Sequence, residues 1–211
     1  NVFYVVVDEV SYVDGGRWGR WSDGDGSSLE LRDLHGDNRA GANWADSDDT
    51  AKSTWTTVEF TGVLDLGSGA ADRLQIMLLG AGEALVDDVE VIVSGANRVP
   101  NSTFESGTNG WIFGGTHVQT SLENAGFNSS RSLHLRASDR GDLTANRLSV
   151  QLSAAVANGT TATLRAKVKW LRGHPEILLR LKGNYLEAYG RLTLPTNLGT
   201  PGAVNSSAVQ N

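Results

Sequence analysis

The chain has 211 residues, 39% of them hydrophobic, with no cysteine and a formal net charge of −6. Disulfides and thiolate metal sites are excluded, so packing, hydrogen bonds and hard cations must hold the fold. The charge is divided: residues 1–97 carry 18 acidic against 6 basic side chains, and residues 98–211 carry 6 against 12. This argues against nucleic acid as the main partner, because half the molecule would repel phosphates.

The first apolar run, residues 2–7, falls far short of the roughly 20 residues that cross a bilayer, so no membrane insertion is expected. After it, short alternating apolar segments separated by Gly, Asn, Ser and Thr predict strands joined by turns. The spacing places strands over 3–12, 28–32, 56–64, 73–79, 84–93, 132–136, 147–152, 161–170, 176–182 and 185–194. No long amphipathic helix is expected, and the fold class is all-β, a sandwich or jelly roll.

The two halves repeat each other in order. Gly26-Ser-Ser-Leu-Glu-Leu-Arg-Asp33 resembles Ser130-Arg-Ser-Leu-His-Leu-Arg-Ala137, and Arg73-Leu-Gln-Ile-Met-Leu-Leu79 resembles Glu176-Ile-Leu-Leu-Arg-Leu181. Repeated order predicts repeated fold. The expectation is therefore two tandem sandwich or jelly-roll units: an acidic one over 1–97, a basic one over 98–195, and a linker or tail over 196–211.

Asn101-Ser-Thr-Phe-Glu105 followed by Gly110-Trp111, then 132–135 and 166–170, resembles galactose-binding-like jelly rolls, including carbohydrate-binding modules of the family 4 and 22 type. Leu85-Val-Asp-Asp-Val-Glu-Val91 resembles the last strand of those modules. Earlier segments, Val7-Asp-Glu-Val10, 23–33 and 37–44, resemble the C-terminal part of a bacterial lamin-tail domain, an immunoglobulin-like sandwich. Together these are similar to an internal segment of large secreted bacterial surface proteins. The resemblance implies an extracellular, cell-surface setting and a modular, non-catalytic role.

The resemblance also implies a structural calcium between the opening Glu and an Asp of the closing strand, here Glu105 with Asp87 or Asp88. Read on their own, one of Asp87 and Asp88 caps a turn or binds backbone amides while the other faces water. Adjacent strand residues point to opposite faces, so without a bulge they make no close catalytic pair. The two halves split the site, each holding one part.

Trp18 and Trp21, in a Gly/Arg-rich loop, are the candidates for stacking on a glycan, against the alternative of packing; Trp111 and Trp170 are assigned to the core. Arg165, Lys167 and Lys169 alternate along one strand face, and Arg180 and Lys182 are expected to continue that face on the next strand. Such a surface suits an acidic partner, such as Asp46, Asp48 and Asp49 of a neighbouring copy. The four histidines are scattered and no nucleophile elbow, zinc helix or phosphate loop is present, so no enzymatic activity is expected. Two functions follow: a structural or adhesive protein that self-associates head-to-tail into a surface filament, or a carbohydrate-binding pair.

Overall fold

The computed structural model describes residues 3, 5, 8–67 and 69–194. Thirteen strands are present among these: β1 (Leu29–Leu31), β2 (Trp44–Asp46), β3 (Trp55–Val63), β4 (Ala71–Leu78), β5 (Gly82–Val93), β6 (Ala96–Asn97), β7 (Trp111–Phe113), β8 (Ser121–Glu123), β9 (Ser132–Ala137), β10 (Leu148–Val156), β11 (Thr161–Gly173), β12 (Glu176–Leu181) and β13 (Glu187–Arg191). The fold is all-β, as the alternation predicts. Residues 8–12 carry no strand. Most of the apolar run 2–7 and the tail 196–211 lie outside the described residues.

Two antiparallel sheets face each other. One has five strands in the order β13-β12-β4-β10-β7, the other six in the order β3-β11-β5-β9-β8 with β6 beside β5. Both sheets mix strands from before and after residue 97. The expected division at 97/98 therefore separates no sandwiches: β3, β4 and β5 complete the sheets built by β7–β13. A single core confirms this, joining Val58, Ile76 and Val91 to Leu135, Leu164, Trp170 and Leu179. Of the repeated segments, β4 and β12 are neighbours in one sheet of the sandwich, whereas β9 lies in the other sheet and β1 in a separate two-stranded sheet, so the repeat marks no second sandwich.

The segment that resembles a closing strand (β5) thus precedes, in the chain, the opening motif at 101–105, yet both belong to one sandwich. The stretch resembling a lamin-tail domain contains, among its described residues, only the two-stranded sheet of β1 and β2. It packs across one end of the sandwich. Gly26, at φ +92°, brings its backbone so close to Trp170 that a Cβ there would sit 3.0 Å from the indole, so glycine is required.

Burial alternates along β5 through Ala84 and Val86, then shifts to Val89, Val91 and Val93. The shift is a bulge: pairing with β11 runs Arg165 to Glu90 and then Lys167 to Asp87, with Asp88 at φ +45°. Asp87 and Asp88 consequently both fall on the face turned away from the core. The expectation of opposite faces is corrected here.

Candidate functional site

Across the outer face of the five-stranded sheet, the strand register lines up one residue from each strand: Ile112 on β7, Ser149 on β10, Gln75 on β4, Arg180 on β12 and Glu187 on β13. Gln75 is the polar residue inside the apolar run Leu74-Gln-Ile-Met-Leu78, and the strand period of two turns it away from the core that Leu74 and Ile76 enter. It is nonetheless only 2% exposed, and its amide nitrogen has no hydrogen-bond partner. A buried amide left unpaired costs about 1–3 kcal/mol, so it marks either strain or a place for a ligand.

The row is roofed by the loop 139–147. Leu78 lies beyond the start of β10, so its backbone lacks a strand partner on that side; Gly141 donates to its carbonyl at 2.8 Å and His117 Nε2 accepts its N–H at 3.0 Å. Asp142 holds the loop by accepting from the backbone N–H groups of Thr144, Ala145 and Asn146, and these bonds keep its carboxyl far below the usual range. The loop carries Leu143, half exposed, above the sheet. Two adjoining hollows meet at Leu143: one of about 260 Å³ lined by Gln75, Arg180, Lys182 and Tyr185, and one of about 690 Å³ that includes Met77, Leu178 and Glu187.

Tyr185 stands at the end of the turn between β12 and β13. Its backbone is held at φ +55°, a conformation that costs a bulky residue on the order of 1–3 kcal/mol. The turn is fixed by fully buried Asn184, which donates to the Gly69 carbonyl and to Asn158 Oδ1, both at 3.0 Å. The residue is 46% exposed, with the Arg180 guanidinium 4.3 Å from the centre of its ring. Arg180 Nε lies 3.2 Å from Glu187 Oε1, a charge contact without hydrogen-bond alignment, since that nitrogen has no bonded partner. Amide, guanidinium and carboxylate beside phenol rings and apolar side chains are the groups that bind a sugar: polar ends for hydroxyls, flat apolar area for the ring.

Other expected site residues lie elsewhere. Arg180 and Lys182 do not continue the row of Arg165, Lys167 and Lys169, because β12 joins the opposite sheet from β11. Arg165 bridges Glu59 at 3.2 Å and Glu90 at 2.7 Å, and Lys167 donates to Thr57 at 2.8 Å beneath the Phe127 ring. The attraction between acidic and basic halves is thus spent inside one sandwich. These groups line a hollow of about 520 Å³ with Asp88, Ser102 and Thr103, where the charges are largely paired with each other. Asp48 and Asp49 close local turns, accepting from Thr50 and Lys52, while Asp46 on β2 accepts from the backbone N–H of the distant Ser22.

Trp18 packs between Tyr12, edge-on at 6.3 Å, and Trp44, tilted at 6.2 Å between ring centres, beside a hollow of about 300 Å³. Trp21 lies between the guanidinium groups of Arg20 and Arg172, at 5.0 and 5.6 Å, and its ring packs against Gly173. The two rings form no common face with the row through Gln75. Trp111 and Trp170 are in the core.

Asp87 and Glu105 are brought to one loop, 126–131. Asp87 Oδ2 accepts from Phe127 N and Ser129 Oγ at 2.8 Å and Oδ1 from Asp88 N at 2.8 Å, while Glu105 Oε1 accepts from Arg131 N at 2.8 Å. Calcium requires oxygen ligands; of the atoms around Asp87 only the Ser129 hydroxyl is one, and the other two are backbone N–H groups that already occupy its oxygens. Among the described residues no group of three or more acidic, histidine or cysteine side chains gathers. As arranged, these residues fit a hydrogen-bonded carboxylate rather than a cation site. Burial pushes the Asp87 carboxyl above its ordinary range against those bonds.

Residues 96–198 match the family model described as a carbohydrate binding domain. The all-β sandwich fits a jelly roll of that kind, with the difference that three of its strands, β3 to β5, come from before the matched segment. Comparison with curated proteins and with solved structures gave no match. No helix among the described residues is long and apolar enough to cross a membrane.

Proposed function

We propose that the protein binds carbohydrate in the groove across the five-stranded sheet, as a non-catalytic module in an extracellular, cell-surface setting. The observation that carries the reading is Gln75: a nearly fully buried amide on the groove floor, unpartnered within the protein and flanked in register by Ser149 and Arg180. The match over residues 96–198 supports the ligand class. Ser149 and Gln75 meet hydroxyls, Tyr185 and Leu143 supply apolar area, and the loop 139–147 sets the groove's depth. The adhesive, filament-forming role gains no support from Arg165, Lys167, Asp46, Asp48 and Asp49, which have partners within the chain.

Glycan-array screening followed by calorimetry tests the proposal. Gln75→Ala and Tyr185→Ala are each expected to weaken binding about tenfold or more, the loss of one to two good contacts. The Trp18→Ala/Trp21→Ala pair is expected to leave affinity for the same glycan unchanged. Binding lost only in the tryptophan pair would move the site to the hollow beside Trp18.

A further inference from the structure

Resting on the carbohydrate reading of this groove, we infer that it selects glycans bearing an acidic substituent, a carboxylate or a sulfate. The smaller hollow is lined by Gln75, Leu143, Arg180, Lys182, Gly183 and Tyr185, and no carboxylate is among them. Its polar side chains are chiefly donors: the unpartnered Gln75 amide nitrogen, the Arg180 guanidinium and the Lys182 ammonium. Arg180 is 7% exposed and its Nε is unbonded. Lys182 is exposed and makes no ion pair among the described residues.

Two positive charges, one of them almost fully buried, are matched here only by Glu187 at the side of Arg180. A buried guanidinium is expensive unless its donors are filled, and an anionic oxygen fills them with bonds roughly twice as strong as a neutral hydroxyl does. A hydroxyl would bring its own proton into a cluster already rich in donors. An acceptor-only group satisfies all three side chains at once. The hollow, about 260 Å³, is below the roughly 300–1,000 Å³ of drug-sized sites, which suits a single sugar ring with its substituent against Leu143. The larger hollow beyond Leu143, with Met77 and Leu178, takes the neighbouring residues of the chain.

Calorimetry with five probes tests the inference: a galacturonate oligomer, the same oligomer methyl-esterified, a sulfated galactan oligomer, and neutral cello- and xylo-oligosaccharides. The acidic oligomers are expected to bind at least about tenfold tighter than the neutral ones, with esterification abolishing the gain. Arg180→Gln and Lys182→Gln should each bring acidic oligomers towards the neutral level, and rising salt should weaken only the acidic ones. Lys182 is exposed, so its variant keeps the test intact even where Arg180→Gln disturbs folding. Preference between galacturonate and sulfated galactan identifies the acidic group. Neutral oligosaccharides that bind as tightly, unaffected by Lys182→Gln but weakened by Gln75→Ala, would overturn acid selectivity and leave the groove as a glycan site. Failure of every glycan to bind would remove both readings.

Discussion

His117 accepts the backbone N–H of Leu78 through Nε2 at 3.0 Å, standing in for a strand partner where β10 has not yet begun. The bond requires a neutral imidazole with its proton on Nδ1, which lies 3.0 Å from Thr116 Oγ1. Burial pushes the ring down to about 4, against a partial offset from Asp142. The unfolded chain takes up the proton near 6.5 while the folded one refuses it until about 4. Stability is therefore full above pH 6.5 and is lost as pH falls towards 4, by on the order of 3 kcal/mol.

A second window follows at lower pH. Burial alone would raise the Glu83 carboxyl, but hydrogen bonds from His134 and Arg172 outweigh it and hold the group down to about 2. Its contribution is lost between about 4.5 and 2. Chemical denaturation of wild type and His117→Leu across pH 2–8 checks both: the variant is expected to be less stable at pH 7 and to lose the dependence between 6.5 and 4 only.

A fragment confined to the family-matched residues, 96–198, is expected not to fold cooperatively. It lacks β4 and β5, which lie inside the two sheets rather than at their edges. Without them β10 and β12 have no common neighbour, and β9 and β11 expose unpaired backbone. Circular dichroism and thermal melting of 96–198 beside 53–198 would show this: a sharp transition in the longer piece and none in the shorter. A cooperative melt of 96–198 alone would contradict the interleaved sheets.

Asp87→Ala is expected to cost on the order of 3 kcal/mol, since it strands the Asp88 and Phe127 amides and the Ser129 hydroxyl around a buried gap. Excess chelator is expected to leave the wild-type melting temperature unchanged, because protein donors already satisfy the carboxylate. A drop in chelator that disappears in Asp87→Ala would instead place calcium between Asp87 and Glu105.

Strand positions were legible wherever one face is buried and the other solvated. Alternation from Thr161 onward predicts the strand that the structure extends to Gly173, and the run around Ile177 behaves likewise. Strand neighbours were not legible, since a period of two gives the parity of a side chain and not the sheet its strand joins. Arg180 and Lys182 were thus singled out correctly as outward and basic, yet assigned to the wrong sheet. Asp87 and Asp88 were misjudged because a strict period of two was carried through β5, although the change of phase from Ala84 and Val86 to Val89, Val91 and Val93 marks the bulge. Of the groove, Gln75 was discoverable, as a polar residue inside Leu74–Leu78, whereas the left-handed backbone of Tyr185 follows from contacts of Asn184 distant in sequence.

The inverted order of β5 and the 101–105 motif bears on how the chain is made. During synthesis β5 emerges before either of the strands that flank it; β9 follows about forty residues later, and β11 only when residues up to Gly173 are out. A strand with an apolar inner face must wait, unpaired, through much of translation, and non-local pairing of this kind folds slowly and is exposed to aggregation meanwhile. Two of the charges on its outer face, Glu83 and Glu90, gain Arg172 and Arg165 as ion-pair partners only when β11 arrives.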